Sequence, residues 1–168
     1  MRQIRAILKD CSGGAAAELV LMLPIMLVLL FGAVELGYYF YSEHQVVKGV
    51  RDGARYGSRQ SFVVANCNGG SASTLPGDIE TAIKEVTRTG FVSGGNARVP
   101  GWVNSDVTVT LTCPGTAITT GIYEGADNAP QVNVSASVDY ASLFGDLGFI
   151  NFTGKKLNAK QQSAVMGL

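Results

Sequence analysis

Hydrophobic residues form one long stretch near the start of the chain. Residues 14–34 are almost entirely apolar, and only Glu18 and Pro24 depart from that pattern. A helix of this length would be about 31 Å long at about 1.5 Å per residue, which matches the hydrocarbon thickness of a bilayer. No small-x-small cleavage site follows, and the aromatic residues at positions 38–40 suit a membrane–water interface. The pattern therefore predicts a transmembrane helix over residues 14–34 rather than a secretory signal peptide.

Apolar residues continue at helical spacing from residue 35 to about residue 59. Three glycines, Gly49, Gly53 and Gly57, recur every four residues, and each costs roughly 1 kcal/mol relative to alanine inside a helix. Such a stripe predicts that another element packs closely against that face. The alternative is a helix that frays beyond Gly53. The apolar residues at helical spacing are Leu36, Tyr39, Phe40, Val47, Val50 and Ala54.

The remaining residues, 60–168, show the patterns of one further helix and about three strands. Pro76 to Thr89 is predicted to be a helix, with Pro76 at its first position and Gly90 at its end. The segments DVTVTLTC and QVNVSASVDY alternate strictly between apolar and polar residues, which predicts strands with one buried face. A third strand is predicted within Lys155 to Met166. The predicted fold class is α+β: a long amino-terminal helix, transmembrane in its first half, carrying a small head with one further helix and about three antiparallel strands.

Charge gives no indication of a nucleic-acid partner, because 13 basic residues balance 13 acidic residues. The cluster of Arg51, Asp52 and Arg55 is typical of a solvated helix face with local ion pairing rather than of a ligand site. Charge does predict an orientation. The leader MRQIRAILKDCSG is basic, whereas the first charged residues after the span are acidic, so the amino terminus is expected in the cytoplasm and the head outside.

The residues needed for catalysis or metal binding are scarce. His44 is the single histidine, and neither a nucleophile elbow, a phosphate-binding loop nor a zinc-protease motif is present. Lone histidines make poor metal sites. We therefore expect no catalytic residues, no metal, no cofactor and no small-molecule substrate, and the chain is predicted not to be an enzyme.

Glu18 is the unusual residue of the apolar run. An ionised carboxylate at the centre of a bilayer costs roughly 2.5–3.5 kcal/mol on insertion scales, and less near the edge. One interpretation is an edge residue that reaches the interface and has no further role. The other requires a cationic partner, which a cut between Gly13 and Gly14 would supply as a new terminal amine. Pairing with that amine, in the same subunit or a neighbouring one, would remove the penalty and favour assembly.

These segments resemble a known family. The run GGAAAELVLMLP with Pro24, the exit from the membrane at Gly32 to Gly37, and the block from Arg51 to Tyr56 are similar to TadE-like pseudopilins of the tight-adherence, or Flp-type, type IV pilus system. The resemblance covers about residues 12–59. It implies that a prepilin peptidase cuts after Gly13 and leaves Glu18 as the fifth residue of the mature chain.

The resemblance also bears on the cysteines, which are odd in number. Removal of a leader at residues 1–13 would take away Cys11 and leave Cys67 and Cys113. Outside the cytoplasm these two are expected to form a disulfide. Since Cys113 lies on the apolar face of its predicted strand, a pair of buried thiols is the alternative.

Three functional hypotheses follow. The first is a minor pilin or pseudopilin of the bacterial inner membrane, which packs against other pilins through its helix and primes, caps or sparsely joins a pilus used in surface adhesion. The second is a membrane-anchored extracytoplasmic binding or adhesion module that acts through the loop from Pro114 to Pro130. The third, an anchored enzyme, is disfavoured by the residue inventory. The corresponding segments are a cytoplasmic leader (1–13), a transmembrane helix (14–34), a continuing helix (35–59) and a head (60–168).

Overall fold

The structure is a computed structural model that describes residues 13–65, 67, 72–73, 75–113, 121–124, 129–145 and 154–167. The predicted leader and Cys11 therefore lie outside the described residues, except for Gly13. The chain divides into two units, Met1–Tyr38 and Tyr39–Leu168. Helix α1 runs from Gly14 to Ser58 and contributes to both units.

The first unit contains the apolar half of α1. Most of its large side chains are exposed, from Leu21 at 74 % to Phe31 at 36 %. Pro24 lies inside the helix and removes one backbone donor. Within the described residues, α1 is the one helix long and apolar enough to cross a membrane.

The second unit begins at Tyr39 and contains the outer half of α1, a second helix and a sheet. Helix α2 extends from Gly77 to Thr89, so Pro76 precedes the helix rather than starting it. Pro76 has extended geometry, and its carbonyl accepts the first helical bond, from the Glu80 amide at 2.9 Å. At the other end Gly90 adopts a φ of 89°, the left-handed conformation that glycine favours, and its amide donates to the Val86 carbonyl.

The sheet of the described structure has four strands, which pair antiparallel in their order along the chain. The three main strands are β2 (Val107–Thr112), β3 (Gln131–Asp139) and β4 (Lys156–Ala164), close to the predicted segments. The additional strand β1 (Ala72–Ser73) was not predicted, because two residues are too few to show alternation. The α+β fold class is therefore confirmed, with a fourth, very short strand.

The core of the second unit is formed by one face of the sheet and the buried faces of both helices. Alternation places the valines of β3 inward, and the register aligns Val134 with Val109 and Val138 with Leu157. Trp102, in the loop between α2 and β2, is the largest fully buried side chain. Buried core residues include Val46, Val50, Ala54, Ile83, Val86, Val107, Leu111, Val132, Val134, Val138 and Leu157.

Candidate functional site

The predicted processing site lies at the very start of α1. Gly13 and Gly14 are exposed, and a side chain at either position would meet open space. Two glycines weaken the first turn of a helix, because glycine is a poor helix former. Both glycines of the predicted cleavage bond are thus accessible, and the cleavage itself stays a prediction. The residues before Gly13 are outside the described part of the chain.

Glu18 is exposed and is the fifth residue of α1 counted from Gly14. Residues four apart on a helix lie on the same face, about 5–6 Å apart. A terminal amine at Gly14 would therefore lie on the face that carries the Glu18 carboxylate. The partially positive amino-terminal end of the helix would also favour this negative charge.

Beyond Glu18 the first unit presents an apolar surface with no polar interruption up to Val34. These exposed side chains would be costly in water, so the segment must be covered by lipid or by other apolar helices. One apolar helix near the start of the chain is consistent with a membrane anchor. The exposed residues are Leu19, Val20, Leu21, Met22, Leu23, Ile25, Met26, Leu27, Leu29, Leu30, Phe31 and Val34.

The glycine stripe lies where α1 packs against the rest of the second unit. A Cβ atom at Gly49 would lie 2.8 Å from Cη2 of Trp102, and one at Gly53 would collide with the Thr87 hydroxyl. At Gly57 the added atom would be 2.9 Å from Cγ1 of Val132. All three positions therefore allow an approach that no larger residue permits. The helix does not fray beyond Gly53, since it continues to Ser58.

Thr87 is the residue of α2 that faces the stripe, and sequence reasoning did not single it out. It is fully buried, and its hydroxyl donates a 2.7 Å bond to the Ile83 carbonyl in its own helix. This bond satisfies the hydroxyl, so its burial carries little penalty. Trp102 was also missed, because a tryptophan in a loop carries no periodic signal.

The expected local ion pairing of Asp52 is wrong. Its carboxylate accepts a 2.7 Å bond from the guanidinium of Arg98, which lies 46 residues further along the chain. Neither Arg51 nor Arg55 forms an ion pair with it in the described structure. Arg98 is brought to Asp52 by the loop that follows α2, a contact that helical spacing does not reveal. The arginines of α1 are thereby left on an exposed face.

A second polar network fixes the loop after α2. Glu85 accepts a 2.7 Å bond from the Asn104 side chain and a 2.8 Å bond from Arg88. These bonds favour the ionised carboxylate, Asn104 most strongly, and they lower the pKa of Glu85 despite its partial burial. Arg88 also donates to Asn104 at 3.0 Å, so the three side chains form a closed cluster.

Cys67 and Cys113 form a disulfide, with Cα atoms 5.7 Å apart. The bond links the segment after α1 to the residue that follows β2. Both cysteines are buried. The alternative of two buried thiols does not apply to this structure. Of the predicted binding loop from Pro114 to Pro130, residues 114–120 and 125–128 lie outside the described residues, so its binding role stays a prediction.

The described residues contain no group of three His, Cys, Asp or Glu side chains that could hold a metal ion. His44 is exposed on α1. The features described above are an apolar helix surface, a glycine contact, several ion pairs and a disulfide.

The comparison with known families agrees with these features. Residues 13–55 match the family model described as TadE-like protein. The matched segment begins at the glycine pair, includes the apolar half of α1 and ends at Arg55. The predicted resemblance to TadE-like proteins is thus confirmed over this segment. No curated protein and no solved structure matches the chain.

Proposed function

We propose that this chain, which carries a TadE-like segment at residues 13–55, is a minor pilin or pseudopilin of a Flp-type pilus system. It takes part in pilus assembly by priming, capping or sparse incorporation into the shaft, and so contributes to surface adhesion. The single observation that carries the proposal is the exposed apolar surface of the first half of α1. The proposal assigns no enzymatic activity and requires no cofactor, nucleic acid or small-molecule substrate.

The apolar half of α1 has two environments in this proposal. Before assembly it spans the inner membrane, where lipid covers its side chains, with the leader in the cytoplasm and the head outside. When the subunit leaves the bilayer, the same side chains must be covered by other apolar helices, because water exposure costs about 25 cal/mol per Å² of apolar surface. Other pilins and pseudopilins are therefore the partners we propose for this helix.

Processing by a prepilin peptidase prepares the helix for this change from a lipid environment to contact with other helices. The enzyme would cut the Gly13–Gly14 bond and release an amine four residues from Glu18. A buried carboxylate without a partner is strongly unfavourable, whereas one paired with an amine is tolerated. Because the Glu18 carboxylate needs this amine, lateral packing depends on cleavage. It also depends on the alignment of Glu18 with its own amino terminus or with that of a neighbouring subunit.

Replacement of Glu18 by Ala tests the proposal in cells that assemble the fibre. We expect the variant to insert and to be cleaved, but fibre formation to fail, because the terminal amine would lose its partner in the apolar packing. Glu18→Asp is the matched control and should retain part of the assembly. Electron microscopy counts the fibres.

The mass of the mature chain, measured without reductant, should correspond to residues 14–168 in the wild type and in both variants. It should also be lower by the two hydrogen atoms lost on disulfide formation. Normal piliation in the Glu18→Ala strain would contradict the role of the carboxylate. An intact Met1 in a normally piliated wild-type strain would contradict the processing.

A further inference from the structure

One exposed face of α1 in the second unit carries a row of basic residues. Lys48, Arg51 and Arg55 follow one another at intervals of three and four residues, Arg59 lies in the turn directly after the helix, and all four are exposed. With 3.6 residues per turn the helical positions share one face, and the row from Lys48 to Arg59 is about 16 Å long at about 1.5 Å per residue. We call this the cationic face.

Nothing in the described part of the molecule neutralises this face. The nearest carboxylate in sequence, Asp52, is held by Arg98. The other ion pairs of the second unit are Lys84–Glu80, Arg88–Glu85 and Lys156–Asp139, and none includes the cationic face. Like charges four residues apart destabilise a helix by about 0.2–0.5 kcal/mol per pair. The face therefore carries a small stability cost that binding of an acidic partner would offset.

The side chains on the face indicate what such a partner presents. Arginine provides a planar fork of donors that matches a carboxylate in two bonds, whereas lysine provides a point charge. Three of the four positions are arginine. Beside the face, Gln161 and Ser163 of β4 form a groove with Arg51 and Arg55. A second groove is lined by Val47 and by the Asp52 carboxylate, which Arg98 holds, so the surroundings are mostly polar, as in the rim of a protein interface.

From these observations we propose that the cationic face docks an acidic helix of a different pilin subunit. This inference rests on the proposed function, which places helices of other pilins alongside α1. A straight row of cations at helical spacing is complemented by carboxylates at the same spacing, as in the charged flanks of paired helices. The partner helix is therefore expected to carry Asp or Glu at intervals of three and four residues.

Two other occupants fit the face less well. A second copy of this chain in parallel would present the same cations, and like charges across an interface cost several kcal/mol. A lipid headgroup layer is only about 5–8 Å thick on each side of the hydrocarbon, too thin to cover a row that is about 16 Å long. The cationic face thus favours pairing with a different subunit over self-assembly.

The chain itself can supply the acidic probe. The Arg51→Glu/Arg55→Glu variant presents carboxylates at the spacing of the cationic face. We would reconstitute mature wild-type and variant chains, labelled with donor and acceptor dyes, in phosphatidylcholine nanodiscs that hold two chains. Energy transfer then measures association. We expect mixed pairs to associate about tenfold more tightly than wild-type pairs at low salt, with the difference lost as salt shortens the screening length.

A matched control reverses two exposed charges elsewhere. Lys155→Glu/Lys160→Glu makes the same change in net charge at two exposed lysines that form no ion pair in the described structure. It should not strengthen pairing with the wild type. Equal association of wild-type pairs and mixed pairs would overturn the proposal, as would an equal gain in the control. Replacing the neutral lipid with phosphatidylglycerol should leave the mixed pairs intact, and their loss there would identify the face as a lipid surface instead.

This assay is independent of the proposed function, since it needs neither a fibre nor cleavage in the cell. If the Glu18→Ala strain is normally piliated but mixed pairs form, the proposed assembly role of Glu18 fails and the docking surface remains. In piliated cells, Arg51→Glu/Arg55→Glu should reduce fibre number and Lys155→Glu/Lys160→Glu should not. The opposite result in cells would contradict the docking of another pilin.

Discussion

Gly53 shows how a single residue determines helix packing in this chain. Thr87 and the Ile83 carbonyl lie so close to its Cα that an added methyl group would collide with the hydroxyl and lie 3.3 Å from the carbonyl oxygen. The Thr87 hydroxyl cannot easily rotate away, because it donates to the same Ile83 carbonyl. The contact therefore depends on the absence of a side chain rather than on any attraction that glycine provides.

We expect Gly53→Ala to lower the free energy of unfolding of the head by about 1–3 kcal/mol, as overpacking does in well-packed interiors. Urea unfolding in detergent, followed by fluorescence of the single tryptophan, Trp102, measures the change. The control is Gly77→Ala, where the new methyl group meets open space. It should change stability by no more than about 0.5 kcal/mol. Equal stability of the two variants would contradict the prediction that α1 and α2 approach closely at Gly53.

Glu85 gives a prediction about pH. Its pKa is lowered in the folded state, first by the bond from Asn104 and then by Arg88. A carboxyl group whose pKa is lowered by folding stabilises the folded state at pH values above its pKa in the unfolded chain, which is about 4.3. That stabilisation is lost as the pH falls through the pKa of the folded state.

The difference in unfolding free energy between wild type and Glu85→Gln should therefore shrink as the pH falls from 7 to about 3. Glu124→Gln, which changes an exposed carboxylate, is the control. Urea titrations at several pH values supply the comparison. A pH-independent difference between wild type and Glu85→Gln would rule out the stabilised carboxylate.

At the scale of elements, α1 combines two kinds of helix in one. In the first unit its apolar side chains are exposed, which suits lipid or other helices. In the second unit Val46, Val50 and Ala54 are buried, while the cationic face is exposed. The change from an all-round apolar helix to an amphipathic one is visible in the sequence, because both patterns follow the helical period.

The disulfide supports the head at the same scale. Cys67 and Cys113 are separated by 46 residues, so opening the bond releases a long loop in the unfolded chain. The double variant Cys67→Ala/Cys113→Ala should lose about 4 kcal/mol in the chain-entropy treatment. Urea unfolding without reductant measures the loss, and Cys11→Ser is the control that leaves both partners in place. Reductant should destabilise the wild type but leave the double variant unchanged, and equal sensitivity of the two would contradict this account.

At the scale of the whole molecule, we predict the orientation of the chain. The basic leader favours a cytoplasmic amino terminus, and the disulfide requires an oxidising compartment around the head. Alkaline phosphatase fused after Leu168 should therefore be active, whereas green fluorescent protein at the same place, exported unfolded, should stay dark. Fusions after Gly13 should behave in the opposite way. A bright carboxy-terminal fluorescent fusion would place the head in the cytoplasm.

The sequence by itself determined the elements of this protein. The apolar run, the helical spacing, the capping residues of α2 and the alternation of the main strands are local patterns, and local backbone geometry imposes their periods. The TadE-like segment is readable for the same reason, since its distinguishing residues lie close together in the chain. The sequence also predicted a close contact at Gly49, Gly53 and Gly57, because three glycines destabilise a helix unless another interaction offsets their cost.

Only the tertiary structure determined which residues those elements contact. It showed Thr87, Trp102 and Val132 as the partners of the glycines, and it assigned Asp52 to Arg98 rather than to its neighbours in α1. It also added β1, which is too short to carry a pattern. These contacts join residues far apart in sequence, and their energies depend on distances that no local period encodes. Arg51 and Arg55 form no ion pair within the described residues for the same reason, because the chain itself supplies Asp52 with a distant partner.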